Sequence, residues 1–288
     1  MKIRDNSRIE QRDTWLTDWC VWTVVISSIL GAIAKFIGGY FYGSKALFVD
    51  ALTSLANLVA LIATIYYYSK THLPADLDHH FGHHRLGFAG TLVTIIAYSF
   101  VAGLVVADLL YTKAYSVEVH APLLALIGLI FYSIAIYVSR RISEYFGPYS
   151  AFTISELLES ITVIVASLLG YLYTYIVDYI GAIIIVSYLF YELQDTLRDL
   201  VKLLSDVAPP MKLVEETRKT IEKHGVKVER IRLRLVREGF YQGDITIRLP
   251  PDITIEEAHK ITDIIERELK NKYNMDVAIH IEPYRTEK

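Results

Sequence analysis

Asp76, His79 and His83 follow one another at intervals of three and four residues in the run His72-Leu-Pro-Ala-Asp76-Leu-Asp78-His79-His80-Phe81-Gly82-His83-His84-Arg85, which holds five of the chain's nine histidines. Imidazole nitrogens and carboxylate oxygens are both ligands for divalent ions, and this spacing brings three of them to one side of a helical turn or a tight loop. The same residues also describe a solvated, pH-sensitive loop, so composition by itself leaves both readings open.

A second set of chemically able residues lies inside apolar sequence. Asp50, Thr53, Ser54 and Asn57 stand at i, i+3, i+4 and i+7, on one face of a helix, and Ser155, Glu156, Glu159 and Ser160 form a similar cluster a hundred residues on. An ionisable side chain in a bilayer core costs about 2.5–3.5 kcal/mol on insertion scales, so it is expected to face a bundle interior or a wet path. Two such faces apposed would offer carboxylate, hydroxyl and amide oxygens to one cation, or to protons exchanging with it. Small polar residues also serve as interhelical hydrogen-bonding groups, which is the alternative role for Thr53, Ser54 and Ser155. Asp108 and Lys35 read as structural, near the outer surface or paired with other charges. Nothing points to a catalytic residue, and the chain reads as a non-enzyme.

The elements that must position these groups follow from hydropathy. With 288 residues, 53% of them hydrophobic, and a mean hydropathy of +0.33, the chain is too apolar for an ordinary soluble domain, yet its last part is rich in charge. Six stretches, near 16–41, 46–69, 87–111, 121–140, 152–174 and 178–202, reach the roughly 20 residues that cross a bilayer core. Lys2, Arg4, Arg8 and Arg12 precede the first span, Lys70 and Arg85 flank the histidine run, Arg140 and Arg141 follow the fourth, and the polar tail follows the sixth. The positive-inside rule therefore places both termini and the histidine connector in the cytoplasm. Tyr171, Tyr173, Tyr175 and Tyr179 suit an interfacial belt on the opposite face. No basic, aromatic-interleaved stretch suggests nucleic acid, and the single cysteine, Cys20, excludes an intrachain disulfide.

Two domains result: residues 1–205, a six-helix transmembrane domain with its connector at 72–85, and 206–288, a soluble domain beginning at Pro209-Pro210. In the second, Lys212–Lys223 reads as an amphipathic helix, Val226–Val236 and Tyr241–Leu249 as alternating strands joined at Glu238-Gly239, and Val277–Ile281 as a third strand. Thr254-Ile-Glu-Glu257 is a capping box opening a helix whose Ala258, Ile261, Ile264, Ile265 and Leu269 form one face. The order αββαβ implies a small ferredoxin-like sheet with helices on one face. Some eighty residues make a marginal core, which dimerisation would help.

The chain resembles the cation diffusion facilitator family of divalent metal transporters. Six spans with both termini inside, the Phe48-Val-Asp-Ala-Leu-Thr-Ser-Leu-Ala-Asn-Leu58 stretch, the connector and the αββαβ tail carry the resemblance over nearly the whole length. Most specific is the family's H-x-F-G-H-x-[KR] signature, present as His79-His80-Phe81-Gly82-His83-His84-Arg85. The resemblance implies a homodimeric plasma-membrane exporter that exchanges a divalent metal for protons by alternating access. It further implies metal sites in the membrane, at Asp76, His79 and His83 of the connector, and in a cytoplasmic domain that dimerises and senses metal.

The resemblance also identifies departures. The family usually places His or Asp, then Asp four residues on, in spans two and five. Counting back from the connector puts Thr53 and Asn57 there, with Asp50 one turn earlier. In span five the two positions fall on Glu156 and Ser160 when Gly170 is the reference, or on Phe152 and Glu156 when counting back from Asp206. The resulting site, drawn from Asp50, Thr53, Asn57, Glu156, Glu159 and Ser160, is all oxygen, which favours harder ions such as Mn²⁺ or Mg²⁺, with Fe²⁺ possible, over Zn²⁺; as the bound divalent ion Mn²⁺, Fe²⁺, Zn²⁺ and Co²⁺ all stay open. In the soluble domain His259, His280 and Glu282 match metal-binding positions, but Arg230 and Arg248 replace histidines, so one weaker site and a plain structural role are both open. Arg85 and Asp206 match a charge pair that ties the two domains together. A non-transporting membrane sensor or scaffold is the alternative that the altered transport motif leaves in place.

Overall fold

The computed structural model describes residues 19–71, 73–139, 143–237 and 239–284, and in the fifth helix side chains from Glu156 onward. The N-terminal basic residues, His72, Arg140, Arg141, Glu238 and the side chains of Phe152 and Ser155 lie outside the described residues. The chain forms two compact units, 1–197 and 198–288.

The first unit is a bundle of long helices: α1 (Trp19–Tyr40), α2 (Lys45–Thr71), α3 (Gly87–Leu110), α4 (His120–Ser139), α5 (Ser143–Leu172) and α6 (Tyr175–Leu204). Among the described residues five helices, α1, α2, α3, α4 and α6, are long and apolar enough to cross a membrane, and α5 has 30 residues. Bulky apolar side chains such as Ile33, Leu55, Phe100, Leu126, Ile161 and Ile184 point outward and exposed. In water that surface would be untenable; in lipid it is the natural exterior, because helices satisfy their own backbone groups. The protein is an integral membrane protein.

Small residues let the helices close in. Helix α1 packs on α2 and α4, and α2 also on α3 and α5. A Cβ at Gly39 would lie 2.4 Å from the backbone nitrogen of Phe48, and one at Gly181 would lie 2.3 Å from the Cβ of Ala166. These contacts bring α1 against α2 and α5 against α6 at backbone distance, the usual route to tight packing where lipid removes the hydrophobic drive. The apolar core runs through Leu47, Val49, Val101, Val105, Ala121, Val163 and Ile185.

Helix α2 carries much of the polar cluster, and its start is held firmly. Ser44 caps it by accepting from the Leu47 amide at 3.1 Å. Asp178 of α6, fully buried, accepts from the Ser44 hydroxyl at 2.6 Å, the Lys45 amide at 2.6 Å, the Ala46 amide at 3.4 Å and the Tyr115 hydroxyl at 2.9 Å. One carboxylate thus satisfies two of the free N–H groups that open α2 and ties them to α6 and to the α3–α4 loop. Nothing in the sequence around Asp178 signals this role. Of the four tyrosines whose spacing suits an interfacial belt, Tyr171 and Tyr173 are exposed, whereas Tyr175 and Tyr179 are half-buried. Tyr179 instead turns inward to donate to the Leu109 carbonyl at the end of α3, which also accepts from the Thr112 amide, and Tyr175 packs on Tyr115.

The second unit contains α7 (Met211–Glu222), β1 (Lys227–Arg237), β2 (Phe240–Leu249), α8 (Ile255–Tyr273) and β3 (Met275–Pro283), the expected αββαβ order. Strand β2 is central, antiparallel to β1 and parallel to β3, with α8 as the crossover. The capping box forms: Thr254 Oγ1 accepts from the Glu257 amide while the Glu257 carboxylate accepts from the Thr254 amide. Asn274, in the left-handed conformation, ends α8. Ile221, Ile245, Ile247, Ile265 and Leu269 fill the core. Ile264, expected on the core face, is 52% exposed, because the buried stripe runs through Ala258, Thr262, Ile265 and Leu269 and position 264 turns away from it.

Candidate metal centre

The connector between α2 and α3 folds around Asp76. Its Oδ1 accepts from the amides of Asp78 at 3.0 Å and His79 at 2.7 Å, an Asx turn that reverses the chain. The His79 amide, more than any other contact, holds the Asp76 carboxyl below the usual carboxylate range. Gly82, at φ +79°, supplies the left-handed step that returns His83 toward Asp76.

Ligand atoms of Asp76, His79 and His83 then lie within 4.8 Å of one another. His79 Nδ1 is 3.4 Å from Asp76 Oδ1, His83 Nε2 is 3.3 Å from Asp76 Oδ2, and the two imidazole centroids are 4.2 Å apart. Separations near 3.3 Å are those of neighbouring ligands around one ion at about 2.1 Å. His83 Nδ1 lies 3.2 Å from the Pro74 carbonyl, a contact that leaves Nε2 for an ion, as is usual for metal-bound histidine. His83 is buried while Asp76 and His79 are exposed, so the trio opens to solvent on one side. It is the only such three-residue group of His, Cys, Asp or Glu among the described residues.

The membrane cluster is built differently. Asp50, Thr53, Ser54 and Asn57 of α2 and Glu156, Glu159 and Ser160 of α5 are all buried. Asn57 Nδ2 donates to Glu156 Oε1, so the two helix faces meet through these residues. Thr53 spends its hydroxyl proton on the Asp50 carbonyl at 2.9 Å. Three buried oxygens of this cluster have no hydrogen-bond partner among the described residues: Asp50 Oδ2, Glu156 Oε2 and Ser160 Oγ. Orphaned carboxylate oxygens of this kind are costly unless a proton, a water or a cation completes them.

Two charged residues in this cluster escaped sequence reasoning. Lys35 of α1, read there as structural, is fully buried, and its Nζ donates to Asp50 Oδ1 at 2.8 Å and Ser54 Oγ at 3.2 Å. It sits 4.2 Å from the centre of the Tyr132 ring. Asp108, read the same way, does pair with a surface charge, Lys45, at 2.8 Å. Glu192 of α6 lies within electrostatic range of both Glu156 and Glu159, as do Asp50 and Lys35. A single ammonium therefore stands among four carboxylates, with no imidazole or thiolate from the residues named, a donor set suited to a hard cation. An unpaired lysine in an apolar span was the available signal for Lys35; nothing in the α6 sequence singled out Glu192.

The soluble domain's expected ligands do not converge. Val277, Ile279 and Ile281 of β3 pack into the core. Alternation therefore sends His280 and Glu282 to the opposite sheet face, where they lie 3.9 Å apart. His259 is on α8, which covers the core face, and pairs with Asp263 at 3.6 Å. Arg230 and Arg248 are engaged with Asp244 and Glu229. Asp206 has Arg234 at 3.2 Å within its own unit.

A helical membrane bundle with an acidic interior cluster, a connector that gathers one carboxylate and two imidazoles, and a small α/β domain together match the architecture of a cation transporter. The cation efflux transmembrane domain matches residues 21–205 and the cation efflux protein cytoplasmic domain matches 209–284. The chain belongs to the cation diffusion facilitator family of divalent metal transporters. It is 26% identical over 287 residues to the manganese efflux system protein MneP of Bacillus subtilis, covering 91% of this chain and 95% of the relative. It is likewise 26% identical over 271 residues to MneS of the same organism, with 88% and 91% covered. Metal tolerance protein C1 of Arabidopsis thaliana is 24% identical over 284 residues, of which this chain spans 59% of the relative's length.

Proposed function

We propose that the chain is a homodimeric exporter of a hard divalent cation, Mn²⁺ ahead of Zn²⁺, which it exchanges for protons by alternating access across the plasma membrane. The observation that carries this reading is the set of buried, unpartnered oxygens on Asp50, Glu156 and Ser160 at the meeting of α2 and α5. Asp50, Asn57 and Glu156 form the core of the transport site, with Thr53, Glu159 and Ser160 around it. Proton and metal compete for the same carboxylate oxygens, so loading one expels the other and couples the two fluxes. The names of the Bacillus relatives, manganese efflux proteins, favour the same ion.

Both termini and the connector then lie in the cytoplasm, where Asp76, His79 and His83 capture the ion at the membrane surface. Residues 1–205 form the transport domain and 206–288 the domain that dimerises.

The test is uptake of Mn²⁺, Fe²⁺, Co²⁺ and Zn²⁺ into vesicles bearing the reconstituted protein under an imposed pH gradient. Mn²⁺ should accumulate, and Glu156→Ala should abolish it. Zn²⁺ moving far faster than Mn²⁺ would overturn the ion assignment, and binding without flux would overturn transport. A second reading, a membrane metal sensor that does not transport, draws on one observation: Lys35 already occupies one oxygen, Oδ1, of the Asp50 carboxylate.

A further inference from the structure

We propose that Lys35 is the transport site's built-in counter-cation: its ammonium holds Asp50 in the metal-free protein, and a divalent ion binds by displacing it. The proposal rests on the membrane cluster being the transport site and adds a residue and a selectivity device to it.

The structure provides a seat for this ammonium. Lys35 is fully buried, with Asp50 Oδ1, Ser54 Oγ and the Tyr132 ring face as its three partners. The seat is shaped by missing side chains. A Cβ at Gly128 would lie 2.9 Å from Lys35 Cγ, and one at Gly31 would lie 2.8 Å from the Tyr132 ring. Three helices, α1, α2 and α4, thus cooperate to hold one positive charge at the carboxylate that faces Glu156's helix.

A divalent ion reaching Asp50 Oδ2 would meet the ammonium a few ångströms away, and at low effective dielectric the two cations repel strongly. They cannot share the carboxylate at full strength. Lysine's flexible stem allows the ammonium to swing off without backbone movement, with the electron-rich Tyr132 face beside its path. A tethered ammonium also competes at a high effective concentration. Monovalent ions gain nothing by replacing a charge equal to their own, whereas a divalent ion bridging Asp50 and Glu156 does. The lysine is therefore a filter against Na⁺ and K⁺ as well as a brake on metal affinity.

The experiment uses full-length protein in nanodiscs carrying Asp76→Ala and His79→Ala, which silence the connector, with Mn²⁺ binding followed by electron paramagnetic resonance. Lys35→Met should tighten Mn²⁺ binding by about tenfold or more and make it sensitive to Na⁺, while Lys35→Arg should do neither. If the parent binds Mn²⁺ and Lys35→Met binds it no tighter, the counter-cation idea fails and the transport-site reading survives. If only Lys35→Met binds, the ammonium's occupancy stands and the exporter reading falls. If neither binds, both fall. Should Lys35→Met not fold, Tyr132→Leu, which removes one of the ammonium's three partners, decides the matter by whether Mn²⁺ binding tightens.

Discussion

Replacing Asp178 by alanine should cost this protein far more than its place at the end of a helix suggests. The carboxylate accepts four hydrogen bonds, from the Ser44 hydroxyl, the Lys45 and Ala46 amides and the Tyr115 hydroxyl. Tyr115 has a second acceptor in the Tyr175 carbonyl at 3.2 Å, and the Ala46 contact is long at 3.4 Å, so two short bonds of 2.6 Å dominate. Each buried donor left unsatisfied costs about 1–3 kcal/mol, and some of that returns because a buried charge is removed. A net loss of about 2–4 kcal/mol follows. Asp178→Asn keeps one acceptor and should lose about half as much. Asp108→Ala, which breaks the part-exposed pair with Lys45, should lose only about 0–1 kcal/mol. The assay is reversible unfolding in mixed detergent micelles, with hydrogen exchange at Lys45 and Ala46 as the local readout. Equal losses for Asp178→Ala and Asp108→Ala, or unchanged exchange at the start of α2, would refute the reasoning.

At the connector, Asp76→Ala should weaken Mn²⁺ or Co²⁺ binding by about tenfold or more, measured calorimetrically in a Glu156→Ala background. The amide of His79, and then that of Asp78, hold the Asp76 carboxyl below its ordinary range, so it stays charged into more acidic solution than a free aspartate. Gly39→Leu should prevent α1 from closing on α2, read as loss of folded protein on size-exclusion chromatography, since its Cβ alone would meet the Phe48 backbone. In the soluble domain, Thr254→Ala should cost about 1 kcal/mol of stability through loss of the α8 cap. The Glu257 carboxyl sits below its ordinary 4.5 because the Thr254 hydroxyl and then its amide donate to it. A depressed carboxylate stabilises above its unfolded pKa and loses that contribution as pH falls through the folded one. Wild type and Glu257→Gln should therefore differ in melting temperature at neutral pH and converge in acid.

Much of the architecture was legible in the residues. Spans could be drawn because a bilayer demands long apolar stretches, and the αββαβ tail because strand alternation and a capping box are local patterns. The connector trio was legible for the same reason: Asp76, His79 and His83 lie within eight residues, so an Asx turn and one left-handed glycine suffice to gather them. The placement of the soluble domain's candidate ligands was not legible, because they lie far apart in sequence. The resemblance named His259, His280 and Glu282, but alternation along β3 and the placement of α8 put them on opposite faces of the sheet.

The membrane cluster marks the division most clearly. Periodicity alone determined that Asp50, Thr53 and Asn57 share one face of α2 and that Glu156, Glu159 and Ser160 crowd one region of α5, because side-chain direction repeats with the helical turn. Which face meets which helix is a matter of packing among glycines and small residues scattered over the whole bundle. Only the tertiary structure therefore decided that Asn57 reaches Glu156, that Glu192 joins from α6, that Asp178 anchors the start of α2, and that Lys35 enters the slot opposite Gly128 to hold Asp50. The sequence supplied the charges, and the packing of the helices decided which of them meet.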